Sequence, residues 1–126
     1  MSNSQDDSLT HFIERLELFE ERLSIRLNAL YAFRFPHGGW VSVNGELHPM
    51  EGDNLKEDVE LVLDVYAKSG LLVGSNSRHF RRAHFFGFET FSMGVVQAGK
   101  DCAVSKIRLY PKVLATAPVE WWRHPK

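Results

Sequence analysis

Eleven residues, Arg81 to Phe91 ("RRAHFFGFETF"), gather four phenylalanines, two arginines and a histidine. Cations beside aromatic rings suit two ends. They can capture phosphate while the rings stack on bases of single-stranded RNA, or the rings can simply fill a core. In a straight strand over 79–97, Phe86 and Phe88 share a face with Arg82, His84, Thr90 and Ser92. Phe85, Glu89, Phe91, Met93 and Val95 then share the other face, which turns the Glu89 carboxylate toward the core at a cost. A bulge at Gly87 reverses the parity, so that Phe86 and Phe88 join Phe91, Met93 and Val95 inside and Glu89 reaches solvent. The bulged register agrees better with burial and is the expected one. Should the platform register hold instead, the candidate binding residues are Arg78, Arg82, His84, Phe86, Phe88 and Arg108. Trp121 and Trp122 form a second candidate anchor, because exposed aromatics are common hot spots.

Phe86, Gly87, Phe88 and Phe91 resemble part of the first signature of the RNA-recognition motif family. His84, Phe85 and Glu89 stand where that signature has a basic residue, a glycine and a valine. The stretch "VSVNGEL" at 41–47 is distantly similar to the second signature, with Ser42 at the stacking position. The family also places a helix between its third and fourth strands, where this chain has "SMGVVQAGKD". The resemblance implies a base-stacking sheet face, and it does not assign the family.

Other chemistries find less. His79 and His84 are five residues apart, on opposite faces of an unbroken strand, and neither they nor His11, His37, His48 and His124 have metal-ligand spacing. No metal and no cofactor is therefore expected. His37, Glu51, Asp53 and Asp64 are candidate acids and bases with nothing local to bring them together. Cys102 is the sole cysteine and reads as a small buried strand residue. "GSNSR" at 74–78 lacks the spacing of a phosphate loop. An enzyme is thus less expected than a binding protein.

The 126 residues carry enough hydrophobic residues (44%) for one packed domain. Net charge is −1, but acidic residues concentrate before Ser77 and basic ones after it, an asymmetry compatible with an anion-binding surface. No apolar run approaches the roughly 18 residues of a membrane span, and the expected location is the cytoplasm.

The elements expected to position these residues are two helices and a sheet. Leu9, Phe12, Ile13, Leu16, Phe19, Leu23, Leu27, Leu30 and Tyr31 recur at spacings of three and four, which predicts a long helix from Ser8 to Phe33, stopped by Pro36, Gly38 and Gly39. Asn44-Gly45 predicts a tight hairpin turn. Asn54 as cap, Glu57 three residues on and Gly70 as stop predict a second helix from Leu55 to Ser69. After it come strands at 71–73, 79–97 and 102–110, with turns at 74–77 and 98–101, and a short strand after Pro111. Alternation over 102–110 turns Ala103, Ile107 and Leu109 to one face and Val104, Lys106 and Arg108 to the other.

The expectation is a single α+β domain over 1–126, residues 1–7 disordered, with both helices on one face of a curved, mostly antiparallel sheet of four or five strands. Its expected function is that of a small intracellular binding protein without cofactor, its partner a protein or small ligand. The alternatives are single-stranded RNA binding on a basic aromatic face and an α+β cone with an internal pocket. Leu18, Ile25 and Trp121 lie off the apolar stripes and suggest a homodimer.

Overall fold

A computed structural model describes residues 8–35, 40–96 and 103–115. Its architecture corrects the α+β expectation, because the chain is a sandwich of two β-sheets. In order it forms β1 (Ile13–Arg15), α1 (Glu17–Arg22), β2 (Ile25–Arg34), β3 (Trp40–Pro49), β4 (Val59–Ala67), β5 (Leu72–Phe80), β6 (Glu89–Val96) and β7 (Val104–Val113). One sheet has the order β1-β7-β4-β5 and the other β2-β3-β6. All pairings are antiparallel except β1 with β7. Residues 1–7, Cys102, the 98–101 turn and the stop at Pro36, Gly38 and Gly39 lie outside the described residues.

The second expected helix is β4, the strand between β5 and β7. Val59, Leu61, Leu63 and Val65 point inward and are wholly buried, while Glu60, Asp64 and Tyr66 point outward. That is a period of two, the alternation of a pleated strand rather than the three-to-four spacing of a helix, with the β-branched Val59 and Val65 at its two ends. Asn54 does accept a hydrogen bond, from the adjacent Leu55 N–H, but within a turn.

The first expected helix divides into β1, α1 and β2, and only the six-residue α1 is helical among them. Two features of β2 imitate helical spacing. Asn28 pairs with Glu46 and Tyr31 with Asn44, so Ala29 and Leu30 together oppose Gly45 in a bulge. The bulge shifts the inward positions from Ile25 and Leu27 to Leu30 and Ala32, inserting a step of three into a period of two. Tyr31 and Phe33 then point outward, so apolar residues occupy both faces. Ala29 takes φ 53°, a left-handed conformation that non-glycine residues adopt at a cost.

Asn44-Gly45 is therefore no hairpin turn; it lies in mid-β3. Gly45 serves close approach, since a Cβ there would stand 2.5 Å from Leu30 Cδ2 and 2.9 Å from Phe91 Cζ.

Between the sheets lies a continuous apolar core that includes Ile25, Leu27, Val41, Val43, Leu47, Leu61, Leu63, Ile107 and Leu109. Ile25, expected to lie off the stripe, is wholly buried in it. In β7 the expected alternation fails near Ser105, where a register shift puts both Val104 and Ile107 inside and leaves Ala103 exposed. β7 itself runs on through Pro111 to Val113, and the "GSNS" stretch lies within β5 rather than in a loop.

Helix α1 is held by a buried carboxylate. Glu20 is 3% exposed and accepts hydrogen bonds from Arg15 Nη2 at 2.6 Å, Arg15 Nε at 3.1 Å and the Leu27 N–H at 3.2 Å. The bond to Glu20 holds the Arg15 pKa above its ordinary value despite partial burial. A buried charge with this many partners is the arrangement that escapes a large desolvation penalty.

Candidate ligand-binding face

The sandwich has two outer faces, and their side chains differ in kind. On the four-stranded sheet, Arg108 Nε donates to Glu14 at 3.1 Å, and Lys106 and Arg108 both lie over the Tyr66 ring. The Ser75 hydroxyl donates to Asp64 at 2.8 Å and the Tyr110 hydroxyl at 3.4 Å. Glu60 stands 3.9 Å from both His79 and Lys112. Burial, and then the neighbouring Asp64 carboxylate, push the Tyr110 pKa above its ordinary 10.0, while Glu14 raises that of Arg108. These groups satisfy one another across adjacent strands.

The three-stranded sheet is different. The registers of β2, β3 and β6 set its outward side chains in cross-strand rows. Phe35, Trp40 and Val96 form the first row, and Phe33, Ser42 and Gly94 the second. Tyr31, Asn44 and Ser92 follow, then Asn28, Glu46 and Thr90. Arg26 and His48 form the last, where Phe88 stacks on His48 at 4.7 Å and 3°. Tyr31, Phe35 and Trp40 remain about half exposed. Tyr31 and Phe33 lie nearly parallel, and Phe33 meets Phe35 edge-on. Trp40 rests on Gly94, where a Cβ would stand 3.2 Å from the indole.

Between the aromatic ends runs an open groove of about 590 Å³, lined by Ala29, Tyr31, Asn44, Gly45, Glu46, Arg78, Thr90, Phe91 and Ser92. Its volume is that of a small-molecule site. Arg78 reaches it from β5, on the edge of the other sheet. Arg78 Nη1 donates to the Thr90 carbonyl at 3.4 Å, Nη2 lies 3.5 Å from Glu89, and the guanidinium sits over Phe80. Asn76 also donates from β5 to the Gly94 carbonyl, at 2.7 Å. These two side chains cover the free edge of β6, as edge strands require. The Glu46 carboxylate is 2.9 Å from His48, and the Asn44 amide donates to Ser42. Among the described residues, the side-chain hydroxyls of Tyr31, Thr90 and Ser92 have no hydrogen-bond partner.

The residues singled out in the sequence do not converge. Phe85, not Phe86, is the buried ring of its segment, packing edge-on against Phe80. Phe86 is 79% exposed and Phe88 half exposed, which overturns the expectation that both are core. Gly87 does change the chain's course, at φ 77° with its N–H donating to Asp53, but in a loop before β6. Glu89 takes the inward side of β6, where Arg78 at the sandwich edge supplies the partner that makes the position tolerable. Arg82 is structural: its Nε donates to the Leu55 carbonyl and its N–H to Asp58, tying the 81–88 loop to the 50–58 loop. His84 is exposed in the 3-10 turn Arg82–His84. Arg108 belongs to the opposite outer face, paired with Glu14. Trp121 and Trp122 lie outside the described residues, and Leu18 on α1 is exposed. Of the candidates among the described residues, only Arg78 and Phe88 fall on the groove or its aromatic rim.

The sequence reading missed Tyr31, Phe33, Phe35, Trp40, Asn44, Glu46, Thr90 and Ser92 as members of one face. A signal was present in "YAFRF" at 31–35, where aromatic rings alternate at a period of two.

Among the described residues, no group of three or more His, Cys, Asp or Glu side chains is placed to hold a metal ion, and no helix is long and apolar enough to cross a membrane. No family model and no curated protein matches the chain. Among solved structures, a "putative beta-galactosidase" from Bacteroides fragilis aligns with a TM-score of 0.39 and 14% identity, covering 68% of this chain and 16% of that one. The chain thus spans a small part of that protein's length, and a likeness of this degree carries no argument about fold or activity.

Proposed function

We propose that this chain is a binding module without cofactor, and that it takes its ligand on the outer face of the three-stranded sheet. The observation that carries this reading is the contrast between the outer faces. One pairs most of its charged groups with one another across the strands, while the other leaves aromatic rings exposed and, among the described residues, the hydroxyls of Tyr31, Thr90 and Ser92 unpartnered around a groove. Exposed rings beside a few convergent polar groups are the usual makings of a ligand site. The strained Ala29 lies on the groove wall, and strain of this kind clusters at functional sites.

The test is a binding panel of neutral oligosaccharides, mixed-sequence single-stranded RNA and short peptides, measured by calorimetry. Any member that binds should lose at least tenfold in affinity in the double variant Tyr31→Ala/Trp40→Ala. It should keep its affinity in Lys106→Gln/Arg108→Gln. The reverse pattern would move the site to the other face and overturn the proposal.

A further inference from the structure

The character of the face narrows the class of ligand. Its outward rows hold two charged side chains, Arg26 and Glu46, and the groove wall adds Arg78 beside Glu89. Two cations against two anions leave no net charge, and Glu46 and Arg78 each already have a partner. A polyanion such as RNA is held by uncompensated Lys and Arg on its phosphates, and this face offers no such stripe. A peptide strand adding beside β6 needs open backbone groups, but Asn76 and Arg78 occupy β6 carbonyls along that edge.

What the face does offer is flat rings and short neutral polar groups. Trp40 lies against Gly94, and the residue is 46% exposed. An aromatic face is electron-rich and attracts the weakly positive C–H groups of a partner lying flat on it. Beside the rings, the hydroxyls of Tyr31, Thr90 and Ser92, the Asn44 amide and the Glu46 carboxylate supply both donors and acceptors. A pyranose ring presents both counterparts, C–H groups on its flat faces and hydroxyls around its rim. The platform from Trp40 to His48 spans eight residue steps of β3, roughly 26 Å at the rise of an antiparallel strand, which exceeds one sugar ring.

We infer that the ligand of this face is a neutral oligosaccharide, laid across the groove with sugar rings stacked on Trp40 and Tyr31 and its hydroxyls on Asn44, Glu46, Thr90 and Ser92. The inference rests on the proposed binding role of the face and adds the ligand class.

The experiment is calorimetric titration with a set of neutral hexasaccharides, namely cellohexaose, xylohexaose, mannohexaose and chitohexaose, each at low and at high salt. At least one should bind with a Kd below about 1 mM, the affinity of a modest interaction. Its affinity should change less than twofold with salt. Trp40→Ala should weaken it at least tenfold, and Ser92→Ala, which removes only one hydroxyl, should weaken it severalfold. Both variants are checked for an unaltered thermal melt; if Trp40→Ala melts early, Tyr31→Ala takes its place.

Failure of all four sugars at millimolar concentration overturns the inference. If RNA or a peptide binds instead and loses affinity in Tyr31→Ala/Trp40→Ala, the ligand class is wrong and the face remains the site. If a sugar binds but is indifferent to Trp40, Tyr31 and Ser92, both the class assignment to this face and the face itself are wrong.

Discussion

The two outer faces of the sandwich arise from the same strand alternation but dispose of their polar groups differently. On the four-stranded face Glu14, Arg108, Asp64, Tyr110, Glu60 and Lys112 interlock across β1, β4 and β7. On the three-stranded face Tyr31, Phe33, Phe35 and Trp40 occupy outward positions where a solvated strand would carry charge. Solubility alone explains the first pattern. The second leaves half-exposed aromatic surface in contact with water, and such surface on a folded chain commonly marks a recognition site.

The largest effects that sharpen this contrast lie just beneath the aromatic face. Phe91→Ala should destabilise the fold by roughly 3–5 kcal/mol, because it truncates a buried ring. Phe86→Ala, three-quarters exposed in the preceding loop, should change stability by no more than about 0.5 kcal/mol. Urea unfolding of the two variants checks the assignment, and similar losses for both would contradict the observed parity of β6.

That parity shows where the sequence was legible and where it was not. The strands β6 and β7 were recognisable from β-branched and aromatic content, and Phe91, Met93 and Val95 were correctly expected inside, whereas the polar middle of β5, Gly74 to Ser77, read as a loop. Over residues 8–33 the pattern misled because the bulge at Ala29 and Leu30 breaks the period of two just where Tyr31 and Phe33 fill the outer face. A helix-like spacing was produced by a strained strand with two apolar sides. In β4 the reading failed for a simpler reason: local cap and stop signals at Asn54 and Gly70 outweighed the alternation of Val59, Leu61, Leu63 and Val65. The candidate face was illegible because its members come from three strands whose registers no local pattern fixes, and because the most conspicuous cluster, 81–88, serves largely as a crossover.

A second, smaller effect tests the bulge that shapes the groove. Gly45→Ala places a methyl against Leu30 and Phe91, and overpacking of this kind should cost about 1–3 kcal/mol. Denaturant midpoints measure it, and a neutral substitution would show that Leu30 yields freely. On the opposite face, a double-mutant cycle of Glu14→Gln and Arg108→Gln should return a coupling of no more than about 1 kcal/mol that shrinks in salt, since both groups are partly exposed. A larger, salt-insensitive value would mean that this face is more than a solvated ladder.

The smallest effect is alkaline. Tyr110 has its folded pKa raised by burial and by Asp64, so its contribution to stability is complete below the unfolded value near 10.0 and is lost as pH rises through the folded one. Tyr110→Phe should therefore flatten the decline in melting temperature above about pH 10, and an unchanged slope would contradict the upward shift that burial and Asp64 together impose.

Backbone amide shift mapping tests the central claim most directly. During titration of the wild-type chain with the panel of oligosaccharides, RNA and peptides, the resonances that move with a bound ligand should be those of Tyr31, Trp40, Asn44, Glu46, Thr90 and Ser92, with Asp64, Tyr66, Arg108 and Tyr110 unmoved. Shifts confined to those last four residues, with the Tyr31-to-Ser92 set silent, would contradict the account.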